Sequence, residues 1–287
     1  MDGELVLAEA AEAYRAALGN RLLAVYALGS LAHGGFSELV SDIDLGLIVS
    51  DPLRPGDGET IQAVAETEKS KGSALHERLS VFWGTPTTLR REQDGGRFPP
   101  LDRLDLIENG RLLDGSDETR RGLPSPSVSE LLITGAEFAL EYLAGVDRHG
   151  HLPIARLGSM RQGREDATEE ILFPDLLLGR GMRRVTKLVL FPVRFVYTAA
   201  TGRVGTNDAA VTRYLEDDQA PSTRLVAAAL AWRRDPPPDR TAASELLREQ
   251  LLPLYLYYID DHIERLRSIG ESDLTGAFRE WRNRLVR

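Results

Sequence analysis

The fold is decided by the stretch Leu22-Leu23-Ala24-Val25-Tyr26-Ala27-Leu28-Gly29-Ser30, which is followed by eleven residues and then by Asp42-Ile43-Asp44-Leu45-Gly46-Leu47-Ile48-Val49. Residues 22–28 form a short apolar run bounded by turn signals, which reads as a buried strand. Gly29 closes it, Ser30 to His33 opens a helix, and Gly34-Gly35 breaks that helix. Residues 43–49 read as a second strand, with Asp44 set inside an otherwise apolar run. Carboxylates two residues apart on a strand point to one face, so Asp42 and Asp44 act as a pair. Such a pair can hold Mg²⁺, which takes one or two carboxylates plus substrate phosphates. Glycine at position 29 lets backbone approach a phosphate, and Ser30 offers a hydroxyl and an N–H at a helix start. A lone D-x-D is more simply a solvated strand edge, and a lone Gly-Ser a turn. The strand–turn–helix unit ahead of the acidic strand favours a metal–triphosphate site.

Working outward, residues 5–18 carry helical apolar spacing and residues 59–69 read as an amphipathic helix. Leu79-Ser80-Val81-Phe82-Trp83 reads as a third strand, and residues 87–91 as a short helix. Residues 104–113 read as a strand, or as a helix running into a strand edge. Composition changes at Gly122-Leu123-Pro124-Ser125-Pro126-Ser127, a linker signal. Past it the strand signals stop, and helical patterns cover residues 130–143, 168–201, 207–216, 223–233, 242–268 and 274–286. The expected architecture is an α/β (α+β) domain with a mixed sheet over residues 1–122, followed by an all-α helical-bundle domain over residues 127–287.

Composition narrows the function. Hydrophobic residues make up 42% and charged residues 28% of the 287 residues, an ordinary soluble balance. No apolar run reaches the roughly 20 residues of a membrane span, and the acidic N-terminus lacks the basic region of a secretory signal. A cytoplasmic location without membrane partners is the default expectation. The absence of cysteine excludes disulfides, zinc–thiolate sites and thiol catalysis. A net charge of −9 argues against nucleic acid as partner and suits a cationic small molecule better.

The Gly29-Ser30 … Ser41-Asp42-Ile43-Asp44 pattern resembles the DNA polymerase β-like nucleotidyltransferase superfamily. Within it, the chain is most similar to the kanamycin and streptomycin/spectinomycin adenylyltransferases. The stretch Lys187-Leu188-Val189-Leu190 … Arg194-Phe195-Val196-Tyr197-Thr198-Ala199-Ala200-Thr201-Gly202 … Asp208-Ala209-Ala210 is similar to the C-terminal helix–turn–helix of the streptomycin/spectinomycin branch. The resemblance spans most of the chain, though the first motif alone is highly specific. It implies an enzyme that transfers AMP from ATP, or from another nucleoside triphosphate, to a hydroxyl of an aminoglycoside-like antibiotic or related natural product, with release of pyrophosphate. It also implies Mg²⁺ on Asp42 and Asp44, the triphosphate on Gly29 and Ser30, and a homodimer.

One position departs from the family pattern. A third acidic residue belongs on the next strand, and Ser80 stands there. Serine binds Mg²⁺ poorly and is no general base near neutral pH. Glu77, three residues earlier, faces the other side of a regular strand unless a bulge re-aims it. The resemblance offers a base elsewhere: Glu137, in Gly135-Ala136-Glu137-Phe138-Ala139-Leu140-Glu141-Tyr142, matches the base-bearing helix of the kanamycin-type enzymes. Glu137 and Glu141 also fit one polar stripe of an amphipathic helix. Lys187, one of three lysines in an arginine-rich chain, would contact the triphosphate. Arg180, Arg184 and Lys187 are spaced to share a helix face, where a solvated basic surface is the simpler reading for the arginines.

Acidic residues at Glu165, Asp166, Glu169, Glu170 and Asp175 suit a cationic acceptor, and surface solvation explains them equally well. His149-Gly150-His151 lacks a third ligand nearby. Tyr255, Tyr257 and Tyr258 fit a core or dimer interface better than a base-stacking platform. Ser80 keeps two alternatives open: a nucleotide-binding regulatory or antitoxin-like protein with a degenerate site, and AMP transfer onto a protein side chain.

Overall fold

The computed structural model describes residues 2–146 and 166–287. The chain divides into two compact units, with the boundary between Pro126 and Ser127.

The first unit is built on a four-stranded mixed sheet. Helix α1 (Gly3–Leu18) is capped by Asp2, whose side chain accepts from the Glu4 N–H. Strand β1 (Leu22–Leu28) runs directly into helix α2 (Gly29–His33), and β2 (Ile43–Val49) follows. Helix α3 (Asp57–Lys69) leads to β3 (Leu79–Gly84), the short α4 (Pro86–Leu89), α5 (Pro100–Glu108) and β4 (Arg111–Gly115). The sheet order is β3-β2-β1-β4. β1 pairs antiparallel with both β2 and β4, while β2 pairs parallel with β3.

Strand alternation divides the sheet into two faces. One face carries Val25, Ala27, Ile43, Leu45, Leu47, Leu79 and Val81 and packs against Val6, Leu7, Ala10 and Tyr14 of α1 and Ile61 and Ala65 of α3. The opposite face carries Ala24, Tyr26, Leu28, Ile48 and Phe82, covered by Leu89 of α4 and Leu106 of α5. In-register neighbours share a face, and Asp44 stands opposite Leu28 on one side and Ser80 on the other. Asp44 and Ser80 therefore belong to the face that α5 covers.

The 104–113 pattern resolves into the end of α5 and strand β4. Pro100 occupies the first turn of α5, where its missing N–H costs nothing and its fixed φ suits the helix.

The second unit is helical among the described residues. It contains α6 (Val128–Tyr142), α7 (Thr168–Leu172), α8 (Pro174–Gly179), α9 (Met182–Thr201), α10 (Asn207–Leu215), α11 (Thr223–Trp232), α12 (Arg240–Ser268) and α13 (Ser272–Leu285). Ser127 and Glu130 close a reciprocal capping box at the start of α6. The core is continuous and aromatic. Tyr255, Tyr258, Phe278 and Trp281 are fully buried, and the Tyr255 hydroxyl donates to Leu188 O at 2.9 Å. The expectation of a core role holds for Tyr255 and Tyr258. Tyr257 instead turns outward, and its hydroxyl donates to Asp217 at 3.2 Å.

The 168–201 pattern is three helices rather than one. Pro174 opens α8, and Gly181 at φ 89° separates α8 from α9. That break corrects the expected basic face. Arg180 caps the end of α8 and cannot align with Lys187 on α9.

Candidate active site

The site assembles where β1 ends and β2 begins. Leu28, extended at φ −122° and ψ −178°, delivers the chain into α2. Gly29 takes φ 59°, in the left-handed region that favours glycine. A Cβ at this position would also run into Asp44 Oδ2. Two independent constraints therefore demand glycine, and the second is the close approach of an acidic side chain. Ser30 follows, half-buried, as the second residue of α2. Asp42 immediately precedes β2 and Asp44 lies within it, both half-buried around Ile43, which is completely enclosed. The fold thus sets Asp44 against Gly29, with Ser30 and Asp42 as their near neighbours in the chain.

Helix α5 adds two carboxylates that the sequence reading passed over. Asp105, itself buried, accepts the Gly29 N–H at 2.6 Å through Oδ2 and the Asn109 side-chain amide at 2.8 Å through Oδ1. This charge-assisted bond pins the turn, and it commits the Gly29 amide to the protein. Asp102 lies one turn earlier on α5 and is half-buried. Burial, followed by the charges of Asp44 and Asp105, pushes its carboxyl up to about 8, with Arg97 pulling the other way. The available signal was Pro99-Pro100 followed by acids three apart, which is a helix start with two carboxylates on one face.

The β3 position is confirmed as serine without a substitute from its own strand. The β2–β3 register runs unbroken from Ile43 opposite Leu79 to Ile48 opposite Gly84. No bulge is present there to re-aim Glu77, which is exposed in the 3₁₀ turn His76–Arg78 ahead of the strand.

Among the described residues, the group of three side chains with metal-ligand spacing is Glu9, Glu68 and His76. It lies among α1, α3 and the turn before β3. Its cation is already supplied by Lys71, 3.0 Å from Glu9 and 2.7 Å from Glu68. Asp42 and Asp44 are half-buried and carry carboxylate oxygens of the kind that could hold a hard divalent ion.

Glu137 and Lys187 belong to the second unit. Glu137 is half-buried on α6, and Lys187 is half-buried on α9. Phe138, next to Glu137, packs against Phe191 and Phe195 of α9 at ring distances of 5.9 and 6.0 Å. Most of the acids considered for a cationic acceptor are engaged internally. Glu170 is buried and receives Arg184 at 2.9 and 2.6 Å. Asp175 accepts from Ser244 at 2.7 Å and Arg248 at 2.5 Å, which hold its carboxyl below the ordinary value. Asp166 pairs with Arg284 at 3.0 Å. Glu169 remains exposed. Glu165, His149 and His151 lie outside the described residues.

No family model and no curated protein matches the chain. Among solved structures the chain is similar to the spectinomycin adenyltransferase AAD(9) from Enterococcus faecialis, crystallised with ATP and spectinomycin. The similarity covers 99% of this chain and 99% of that one, at a TM-score of 0.51 and 14% sequence identity. This likeness is one of fold: a nucleotidyltransferase-like α/β unit followed by a helical unit. No helix among the described residues is long and apolar enough to cross a membrane.

Proposed function

We propose that this chain is a nucleotidyltransferase that moves AMP from ATP to a hydroxyl of a small, cationic, aminoglycoside-like acceptor. The observation that carries the reading is the packing of Gly29 against Asp44. A turn that admits only glycine, with a carboxylate set against it, leaves backbone and acid close together with no side chain between them, which suits a triphosphate and its metal. In this reading Asp42 and Asp44 hold Mg²⁺ and Ser30 meets the triphosphate at the turn that Gly29 makes possible. Lys187 is the proposed phosphate contact from the helical unit. When bound, Mg²⁺ supplies neutralisation of the phosphate charge. The acceptor oxygen forms a bond to the α-phosphorus, the bond from that phosphorus to the bridging oxygen breaks, and pyrophosphate departs. Glu137 is the proposed group that takes the hydroxyl proton.

The test is incubation with α-labelled ATP, Mg²⁺ and a panel of aminoglycosides and aminocyclitols. Label should move to one acceptor class and stop in Asp42→Asn and Asp44→Asn. Unchanged turnover in Glu137→Gln would remove Glu137 from the mechanism. Label recovered on protein would redirect the reading to protein AMPylation.

A second reading is favoured by one observation, the serine that stands opposite Asp44. It is a nucleotide-binding regulatory protein with a degenerate site. Tight ATP binding without pyrophosphate release under any acceptor would select it.

A further inference from the structure

We infer that helix α5, through Asp102, supplies the acidic side chain that β3 lacks at Ser80. This inference rests on the reading of Asp42 and Asp44 as the metal–triphosphate site and extends that site to a second element.

Placement carries the argument. Asp44 and Ser80 are in-register neighbours on the sheet face that α5 covers. An acid at position 80 would stand directly beside Asp44. Helix α5 is anchored to that face at three points. Leu106 is fully buried against it, Asp105 binds the Gly29 N–H at 2.6 Å, and the segment entering the helix is tied to β3. In that segment Arg97 exchanges both backbone hydrogen bonds with Trp83, at 2.9 and 2.7 Å, and its guanidinium donates to Val81 O at 2.5 Å. Residues 102, 105, 106 and 109 follow i, i+3, i+4, i+7 spacing, so Asp102 shares the face of Asp105 and Leu106, one turn nearer the helix start. Asp105 on that face reaches the Gly29 N–H, and Gly29 in turn lies against Asp44 Oδ2, so the face of α5 that carries Asp102 is turned toward Asp44.

Charge decides what this arrangement is for. Asp44, Asp102 and Asp105 converge on one partly buried region, and Asp105 is already committed to Gly29. Gathering like charges away from water is unfavourable unless one of them takes a proton or a counter-charge joins them, and a bound cation would displace the proton. Arg97 supplies one positive charge and a divalent ion would supply the balance. Asp42, Asp44 and Asp102 do not stand at the spacing of a direct three-ligand set, which among the described residues is met at Glu9, Glu68 and His76 alone. Asp102 is thus assigned as a supporting carboxylate around the ion on Asp42 and Asp44, acting as a positioning residue.

The test is Mn²⁺ binding by the full-length protein, followed by electron paramagnetic resonance with and without a non-hydrolysable ATP analogue. Asp102→Asn should weaken Mn²⁺ binding roughly 10–100-fold, the range for residues that support metal ligands. The melting temperature of the metal-free variant should change little near pH 7, where a carboxyl raised to about 8 is already mostly protonated and the amide is a near-isostere. Adding Ser80→Asp to Asp102→Asn should restore binding, because it returns an acid to the strand position. A purely structural role for Asp102 would not be rescued from another strand. Mn²⁺ affinity unchanged in Asp102→Asn, while Asp44→Asn abolishes it, overturns the role of Asp102 and leaves the site itself standing. Failure of the wild-type protein to bind Mn²⁺ with the nucleotide analogue overturns both.

Discussion

The two faces of the sheet in the first unit are made by the same strands and do opposite things. On one face, Leu45 and Leu47 of β2 are sealed against α1 and α3 with no exposure. On the other, the alternate residues of that strand are Asp44 and Gly46, beside Ser80 and Phe82 of β3. The first face is close-packed hydrocarbon and holds the unit together. The second gives up apolar area to a carboxylate, a glycine and a serine, and α5 covers it with Asp102 and Asp105 near Asp44. The comparison teaches that the acidic strand survives because its other face is so thoroughly buried. Stability is concentrated on one side, which leaves the other free to carry unfavourable charge.

The strongest way to break this comparison is Asp44→Asn. On the proposed reading it removes a metal ligand worth several kcal/mol in the transition state, so AMP transfer should fall by about 10³-fold or more. The melting temperature should not fall with it, since the change also removes one of the charges repelling Asp102. Radiolabel transfer and calorimetry on the same protein check both halves. A large drop in melting temperature would mean that Asp44 is structural and that the two faces are not divided as described.

The converse variant is Leu45→Ala, one residue away on the packed face. Leu45 is fully enclosed, so truncation should cost about 2–5 kcal/mol through lost burial and the cavity left behind. Denaturant unfolding measures it. Metal affinity should stay near the wild-type value under conditions where the variant remains folded.

How much of this division is legible in the sequence follows from the reach of each signal. Strands β1 and β2 are apolar runs, with Asp44 the one charged residue within them, so their positions were readable. Helix α5 was harder. Leu104, Leu106 and Ile107 sit beside Leu112 and Leu113, and a short apolar series fits a strand as well as a helix. That ambiguity hid Asp102 and Asp105, whose placement depends on α5 packing across the sheet onto Gly29, a contact 76 positions apart in the chain. The arginine–acid pairs of the second unit were hidden for the same reason. Glu170 and Arg184 look like solvated charges until three separate helices place them together.

A smaller effect probes the seam between the faces. Gly29→Ala should destabilise the first unit by about 1–3 kcal/mol, because a side chain there must hold φ 59°. The new Cβ must also push Asp44 away, so nucleotide affinity should fall further than stability alone explains. Equilibrium unfolding and nucleotide titration separate the two components. Equal losses in both would mean that the close approach to Asp44 has no part in binding.

The smallest expected effect is at Ser80, where the comparison can be sharpened. Ser80→Ala removes a hydroxyl from the charged face without altering its charge, and Ser80 is half-buried rather than sealed. Stability should change by no more than about 0.5 kcal/mol, with Mn²⁺ affinity and turnover near wild type. Ser80→Asp in the otherwise unchanged protein should act differently, because it places a further carboxylate beside Asp44 and near Asp102. The metal-free protein should then melt at a lower temperature, and saturating Mg²⁺ should recover the difference, since an ion that binds the folded state stabilises it by mass action. If Ser80→Asp melted at the wild-type temperature with and without Mg²⁺, the face would not be limited by charge. Its carboxylates would then be ordinary solvated groups, and the contrast with the packed face would reduce to one of hydrophobicity alone.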